Sequence, residues 1–256
     1  MKKIILLIVL LAVVGGISVA STPGIYQLKI YHLSNQQQEK GLDNFLKSAY
    51  IPALHRAEIN TVGVFKEVVR KNADEILVYV LVPFSTFDAS LALEKSLLHD
   101  QVYLQKGKQY LEAPHNEPAF SRIETILLKA FQGSPFSPAP KLKGPKEKRI
   151  YELRSYEGPS EKLYRNKVAM FIDGDEIGLF KRLGFNAVFY GEVLAGSKMP
   201  NLMYMTTFEN QADRDAHWDA FGKDAYWKTL SSDPQYQNNV SLNEQLYLYP
   251  TEYSDI

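Results

Sequence analysis

The 256-residue sequence contains no cysteine. This absence excludes disulfide bonds, thiolate nucleophiles, cysteine-ligated metal sites and covalently attached haem. A chain without such cross-links must obtain its stability from a sizeable apolar core. Its 45% hydrophobic residues provide enough apolar mass for one large domain or two smaller ones.

The sequence also lacks an excess of charge of either sign, because 29 lysines and arginines balance 29 acidic residues. A protein that binds the phosphate backbone of nucleic acids usually carries a basic excess. Nucleic acid is therefore not expected to be a partner.

The common catalytic and metal-site motifs are missing as well. There is no G-x-S-x-G, Walker A or G-x-G-x-x-G sequence. The five histidines are scattered, without an H-x-x-x-H or H-E-x-x-H pair. The acidic stretch DGDE, residues 173–176, is more typical of a helix break than of a calcium loop. The sequence therefore predicts no metal site.

The N-terminal residues have the pattern of a secretory signal peptide. Lys2 and Lys3 precede an apolar run from Ile4 to Val14, and a small-residue S-V-A triplet ends at Ala20. We expect residues 1–20 to be removed and the protein to be exported to the periplasm or the extracellular space. The alternative is an uncleaved membrane anchor, since the apolar stretch reaches the lower limit of a membrane span, roughly 17 residues.

The most prominent positive feature is an internal similarity. The segment YQLKIY at residues 26–31 is followed, 125 residues later (151 − 26), by YELRSY at residues 151–156. Further aligned pairs are Val64 with Phe189 and Tyr79 with Tyr204 at the same offset, and Glu124 with Glu244 at an offset of 120 (244 − 124). Matches in several separated segments indicate a duplicated unit.

Each copy reads as the series strand, helix, strand, strand, helix, strand. Residues 21–132 form the first copy, residues 133–148 a Pro- and Lys-rich linker, and residues 149–256 the second copy. Asp88 and Ser160 are the expected N-caps of a helix in the first and second copy. The βαββαβ order is the ferredoxin-like motif, whose sheet carries helices on one face only. The sequence thus predicts an α+β protein of two tandem ferredoxin-like units, whose antiparallel sheets pack together as a dimer within one chain.

Several of these segments resemble the NIPSNAP family. They are YELRSY and RDAHWDAFGKDAYWKTL in the second copy, and YQLKIYHL and IPALHRAEINTVGVF in the first. The resemblance extends over essentially the whole chain after residue 20. It implies a dimeric α/β barrel, a fold also used by small cofactor-independent monooxygenases and haem-degrading proteins, but it implies no particular reaction. The first copy has Leu and Tyr where the second has Trp218 and Trp227, so the two halves need not carry equivalent pockets.

The opening strand of each copy supplies candidate binding residues. Alternate residues of a strand face opposite sides of the sheet. We expect Tyr151 and Leu153 to pack under the helices, and Glu152, Arg154 and Tyr156 to point into the space between the two sheets.

The first copy places Lys29 and Tyr31 at the positions of Arg154 and Tyr156. Charged groups between two sheets must be paired or hydrated. One interpretation is a polar cavity in which Arg154 anchors an anionic group and Tyr31 or Tyr156 orients a ligand. The alternative is that Glu152 neutralises Arg154 and both have a structural role.

His217 is the remaining candidate, because it lies close in sequence to Trp218, Phe221 and Trp227. It could act as a base or as a haem ligand beside aromatic walls. The spacing of the aromatic residues is, however, that of a helix face packed in a core, and His217 lies beside that face. No cofactor is predicted. Haem is the one cofactor for which His217 could serve as a ligand.

Three functions are compatible with the sequence. The first is an exported protein that binds a small, partly apolar molecule in or beside the barrel. The second is a cofactor-independent oxygenase or isomerase with Tyr or His as a proton shuttle. The third is a non-catalytic interaction module, and homo-oligomers are compatible with all three. The first two require a pocket with convergent polar groups, whereas the third predicts a packed interior.

Overall fold

The computed structural model describes residues 24–133 and 141–256. The predicted signal peptide and the centre of the predicted linker lie outside this part of the chain. Within it, every helix is too short or too polar to span a membrane.

The first half contains four strands and four α-helices in the predicted order. Its elements are β1 (Ile25–Leu33), α1 (Gln36–Phe45), α2 (Ile51–Arg56), β2 (Gly63–Glu67), β3 (Ile76–Phe84), α3 (Phe87–Leu97), α4 (Gln101–Leu111) and β4 (Arg122–Ala130). A π-helical turn, Leu46–Tyr50, joins α1 to α2. Pro52 lies in the first turn of α2, directly after this π-helical turn and within one continuous helical run.

The second half repeats the order. Its elements are β5 (Ile150–Glu157), α5 (Glu161–Ile172), α6 (Glu176–Arg182), β6 (Asn186–Ala195), β7 (Asn201–Phe208), α7 (Gln211–Lys223), α8 (Ala225–Ser232) and β8 (Leu242–Pro250). The DGDE stretch separates α5 from α6, as a helix break should, and Asp175 has a left-handed backbone with φ 53°.

Two predicted helix starts have different outcomes. Ser160 caps α5 as expected, because its side chain accepts a hydrogen bond from the backbone N–H of Leu163. The prediction for Asp88 is wrong. Thr86 caps α3, with its hydroxyl accepting from the N–H of Ala89, and Asp88 lies in the first turn. Its carboxylate is still favourable there, because it faces the positive end of the helix dipole.

All eight strands form one closed antiparallel barrel with the order β1-β3-β2-β8-β5-β7-β6-β4. Each half contributes four neighbouring strands. The halves are joined at two seams, β2 with β8 and β4 with β6. The predicted fold class is therefore confirmed, and closure leaves no free sheet edge.

The barrel interior is filled by apolar side chains from both halves. Tyr26 packs against Phe189 with ring centroids 5.1 Å apart, and Phe65 packs against Tyr151 at 4.7 Å. Leu153 belongs to the same buried cluster. The expectation that Tyr151 and Leu153 pack under the helices is therefore wrong. They face the barrel axis, and their polar neighbours on β5 face the helices.

A separate core lies between the barrel and the helices in each half. In the first half it joins β3 to α1, for example through Val80 and Phe45. In the second half it is mostly aromatic and includes Phe171, Phe180 and Tyr204. Both faces of the sheet are thus buried, one inside the barrel and one under helices.

The strand pairing corrects the alignment between the halves. Lys29 pairs with Val80 across β1 and β3, and Arg154 pairs with Tyr204 across β5 and β7. Since Lys29 and Arg154 are equivalent, the structural counterpart of Tyr204 is Val80, and the alignment of Tyr204 with Tyr79 is wrong by one residue. A shift of one residue moves a side chain to the other face.

The alignment of the last strands at an offset of 120 is confirmed. Lys29 pairs with Thr125 on β4, and Arg154 pairs with Gln245 on β8. Glu124 and Glu244, one residue earlier in each strand, are therefore equivalent in the fold as well as in the sequence.

Candidate functional site

The polar residues of β5 lie under α7, where they bond to one another and to side chains of α7. We call Glu152, Arg154, Arg214 and Trp218 the Glu152 cluster. Glu152 is completely buried, with an exposed fraction of 0%. One carboxylate oxygen lies 2.6 Å from Arg154 Nη2, and the other accepts from Arg214 Nε at 2.8 Å. The indole N–H of Trp218 donates to the same oxygen as Arg214 Nε, at 2.7 Å.

Arg154 completes the cluster with its flat guanidinium face. Its Cζ lies 3.7 Å from the centre of the Trp218 ring, which is close enough for a strong cation–π contact. Its Nη1 donates to the hydroxyl of Tyr156 at 3.1 Å, and that hydroxyl lies 2.9 Å from the hydroxyl of Tyr204. Burial raises the pKa of Tyr204 far above its ordinary value, so this phenol stays neutral.

A second buried ion pair lies beside this cluster. Lys167 Nζ is 2.9 Å from a carboxylate oxygen of Glu176. The ammonium also lies 4.7 Å from the centre of the Phe171 ring and 5.5 Å from that of Tyr156. The space between sheet and helices is thus filled by the chain's own charged and aromatic groups.

The equivalent residues of the first half have other partners. Lys29 Nζ lies 3.1 Å from Glu94 Oε1 on α3 and 5.6 Å from the ring centre of Tyr50. Tyr31 is 3% exposed and shares a hydrogen bond with Tyr110 on α4. Burial raises the pKa of Tyr31 far above its ordinary value.

His217 lies on α7, with its ring in the aromatic core. The ring centroid is 5.4 Å from that of Phe185 and 5.5 Å from that of Phe208. Its Nδ1 lies 2.8 Å from the backbone carbonyl oxygen of Asp213, and a methyl group at Gly184 would lie 3.5 Å from Nε2. His217 is therefore held between aromatic rings and the backbone of its own helix, and these contacts assign it no cofactor.

The six predicted site residues therefore do not share one cavity. Glu152, Arg154 and Tyr156 lie with His217 under the helices of the second half, and Lys29 with Tyr31 under those of the first. The prediction that the five of them on β1 and β5 point into the space between the sheets is wrong. The structural alternative, in which Glu152 neutralises Arg154, describes this pair correctly.

A cavity of about 290 Å³ opens at one end of the barrel. We call it the barrel-mouth cavity. Its floor is apolar and is formed by Ile30, Leu77, Ile126, Leu153, Met203 and Leu246. Its wall carries the polar groups of Glu67, Tyr79, Ser155 and Asn201, and its rim includes His32, Lys71, Arg122, Glu124, Lys198 and Glu244. Both halves of the chain contribute to it.

The polar side chains of the rim form two sets of contacts. Glu244 lies between two lysines, 2.8 Å from Lys71 Nζ and 2.7 Å from Lys198 Nζ. These two lysines come from the β2–β3 and β6–β7 hairpins, so the ion pairs tie both hairpins to β8. Burial acts to raise the pKa of Glu244, but the hydrogen bonds from Lys198 and Lys71 outweigh it, and the pKa is lowered.

The second set is centred on His32, which is 5% exposed. Its Nδ1 lies 2.6 Å from Glu75 Oε1 and its Nε2 lies 3.2 Å from Glu124 Oε1. Glu124 is also 2.7 Å from Arg122 Nη2. The rim carboxylates Glu124 and Glu244 are therefore both engaged with basic side chains, as is Glu75 beside His32.

Glu67 is the exception in this cavity. It is the last residue of β2 and is 9% exposed. Its nearest side-chain partner is the hydroxyl of Tyr79, which donates over 3.5 Å, the limit of a hydrogen bond. The backbone N–H of Lys71 also donates to it. Burial raises the pKa of Glu67, and the attraction of Lys71 offsets this only in part.

A second cavity, of about 310 Å³, lies between α1 and α4. Its lining is mostly uncharged, with polar and apolar residues mixed, and Lys106 and Glu117 are its charged residues. Gln38 is already bonded to the backbone of Ser34 and Pro118. Because no buried carboxylate or cation points into this groove within the described residues, the barrel-mouth cavity is the stronger candidate site.

Sequence reasoning missed the residues of the barrel mouth. Glu67 lies two residues after Phe65, at the end of a short apolar strand, and no motif marks it. The useful signal was the presence of charged residues at inward-facing positions near strand ends. That signal can be read only when the face that points inward is known.

The second half of the chain matches a known protein family. The NIPSNAP family model matches residues 151–255, from β5 to the end of β8 and beyond. These residues are a NIPSNAP domain. The domain contains the whole Glu152 cluster, whereas the barrel-mouth cavity also needs strands from outside it. No curated protein matches the chain.

Solved structures that match most of the chain share its fold. A protein from Lactobacillus acidophilus NCFM described as a "putative monooxygenase" is 11% identical, and the match covers 90% of this chain and 94% of that chain with a TM-score of 0.55. An anthrone oxidase-like protein is 9% identical, with 90% and 92% covered and a TM-score of 0.54. A NIPSNAP family protein from Agrobacterium tumefaciens C58 is 20% identical, with 46% and 98% covered and a TM-score of 0.38.

Proposed function

We propose that the protein binds a small, partly apolar molecule in the barrel-mouth cavity. The apolar floor would hold the body of the molecule, and the polar wall would orient its head. The cavity volume of about 290 Å³ restricts the ligand to a small molecule. We also propose, from the sequence alone, that the protein is exported after cleavage behind Ala20.

The observation that carries this proposal is the position of Glu67. Natural proteins seldom bury a carboxylate without a cationic partner, since the charged form is costly away from water. Retaining one in a cavity with an apolar floor costs stability and is typical of a binding or catalytic site. The Glu152–Arg154 pair gives no such support, because it is satisfied within the chain.

A second candidate is an enzyme that moves a proton on the bound molecule. The raised pKa of Glu67 favours it, because burial makes this carboxylate a stronger base than an ordinary glutamate. Tyr79 is the second group at hand, since its hydroxyl contacts Glu67. The structural neighbours share only the fold, so their names supply no reaction for this chain. A pure interaction module is less well supported, because it would not need the cavity.

The test is mass spectrometry of the protein purified from its own host. The denatured mass is expected to correspond to a chain that begins at Ser21. Under native conditions we expect an additional mass, from a retained small molecule, that disappears on denaturation.

Leu246→Trp should remove this adduct, because Leu246 lies on the cavity floor and the larger ring fills the space. Leu98→Trp is the matched control, since Leu98 is 69% exposed at the end of α3. If Leu246→Trp does not fold, Leu246→Phe provides a smaller obstruction. An adduct that persists in the folded, blocked variant would place the ligand elsewhere and contradict the proposal.

A further inference from the structure

We infer that the ligand of the barrel-mouth cavity carries an amino group, and that this group binds as an ammonium ion to the carboxylate of Glu67. This inference rests on the proposed function, because it requires the cavity to be a binding site. It goes beyond that function by naming the chemical class of the ligand.

The first argument is the charge distribution around the cavity. Glu244 is bonded to two lysines, and Glu124 to Arg122 and His32. Among the residues that the structure describes, no lysine, arginine or histidine nitrogen is within ion-pair distance of Glu67. Lys71 is near enough to attract it, but the Lys71 ammonium is directed to Glu244 at 2.8 Å.

The second argument is the incomplete hydrogen bonding of Glu67. An ionised carboxylate can accept about four hydrogen bonds. Glu67 accepts a long one from Tyr79 and one from the backbone N–H of Lys71. An ammonium group brings up to three donors together with the missing positive charge, so it satisfies both needs at once.

The alternatives fit less well. An anionic head would be repelled by Glu67, while the ammonium groups of both nearby lysines are already directed to Glu244. A neutral hydroxyl could donate one hydrogen bond but would leave the buried charge uncompensated. The apolar floor adds a further constraint, because it favours a hydrocarbon body attached to the amine. A small aryl or alkyl amine satisfies all of these conditions.

The experiment compares two probes of almost equal shape, benzylamine and benzyl alcohol, by ligand-observed NMR titration of the full chain. We expect benzylamine to bind the wild-type protein at least tenfold more tightly. In Glu67→Gln the preference should vanish, with benzylamine weakened to the level of the alcohol and the alcohol unchanged. Glu94→Gln is the matched control, because Glu94 is an exposed carboxylate paired with Lys29, and it should leave both affinities unchanged.

Several results would overturn the inference. Equal binding of both probes to the wild-type protein would remove the preference for an amine while leaving the cavity as a binding site. An amine preference that persists in folded Glu67→Gln would assign recognition to another group. A nitrogen-free native adduct that is lost in Leu246→Trp would refute the amine class and still support the proposed function. If Glu67→Gln does not fold, Glu67→Asp should keep the amine preference in weakened form, and an unchanged preference there would contradict the inference.

Discussion

At the scale of single residues, Glu152 is a buried carboxylate of the NIPSNAP domain whose charge is compensated by several partners. It is fully buried and is the shared acceptor of Arg154, Arg214 and the Trp218 indole. Its replacement by Gln would leave the buried guanidinium of Arg154 without a carboxylate partner and Arg214 with Asp215 alone. We predict that Glu152→Gln lowers the free energy of unfolding by about 3–5 kcal/mol, measured by urea denaturation.

An exposed carboxylate provides the control for this prediction. Glu161 is paired with Arg165 at 3.6 Å on α5, and its side chain is 79% exposed. Glu161→Gln should therefore change the free energy of unfolding by less than about 0.5 kcal/mol. A similarly small loss for Glu152→Gln would show that Glu152 is not the counter-charge on which the cluster depends.

Glu67 should have the opposite effect on stability, with a defined pH dependence. Its pKa is raised by burial, so on increasing pH the unfolded chain releases this proton before the folded chain does. The folded state then binds more protons than the unfolded state, and the free energy of unfolding falls as pH rises from the ordinary pKa of glutamate, about 4.3, to the raised value. We predict that Glu67→Gln is as stable as the wild type at acidic pH and more stable at neutral pH, measured by thermal unfolding across pH.

Glu244→Gln should show the reverse sign. The pKa of Glu244 is lowered by its two lysines, so its contribution is present at neutral pH and is lost as pH falls through the lowered value. This variant is expected to be less stable than the wild type at neutral pH, with the difference disappearing in acid.

A destabilised Glu67→Gln at neutral pH would mean that the Glu67 carboxylate is structural, and it would weaken the assignment of Glu67 to a binding site.

At the scale of elements, most helices and strands could be predicted from periodicity, but the orientation of the strands could not. In β5 the residues Tyr151 and Leu153 are as buried as Glu152 and Arg154. When both faces of a sheet are covered, the hydrophobic pattern does not show which face is inside. The polar face of β5 is accommodated because α7 supplies Arg214 opposite Glu152, and that pairing is invisible without the fold.

The two hairpins show the same limit in register. The alignment without gaps placed Tyr79 opposite Tyr204, but the strand pairing equates Tyr204 with Val80. A displacement by one residue costs little in a sequence alignment, because hydrophobic residues are frequent in these strands. In the fold it separates a tyrosine inside the barrel from one under the helices. The candidate site contains Tyr79, so this error also concealed the site.

At the scale of the whole molecule, closure of the barrel determines both the core and the candidate site. The predicted packing of two four-stranded sheets is confirmed, and its consequence is that the interior belongs to neither half alone. The barrel-mouth cavity has the same origin, since its lining includes Leu77 from the first half and Leu246 from the second. A site that forms only where distant strand ends meet cannot be recognised from a local motif.

The shared interior predicts that the two halves unfold together. Both tryptophans, Trp218 and Trp227, lie in the second half, so their fluorescence reports on that half alone. Leu42 lies in the first-half helical core and is fully buried, so Leu42→Ala should cost about 2–5 kcal/mol. If the molecule unfolds cooperatively, the unfolding transitions followed by tryptophan fluorescence and by far-UV circular dichroism should move together to lower urea concentration. The shift should correspond to this loss of free energy. Leu98→Ala, at an exposed site of the same half, is the control and should move neither. An unchanged tryptophan transition beside a biphasic dichroism curve would instead show that the halves unfold independently, because the seams β2–β8 and β4–β6 do not couple them.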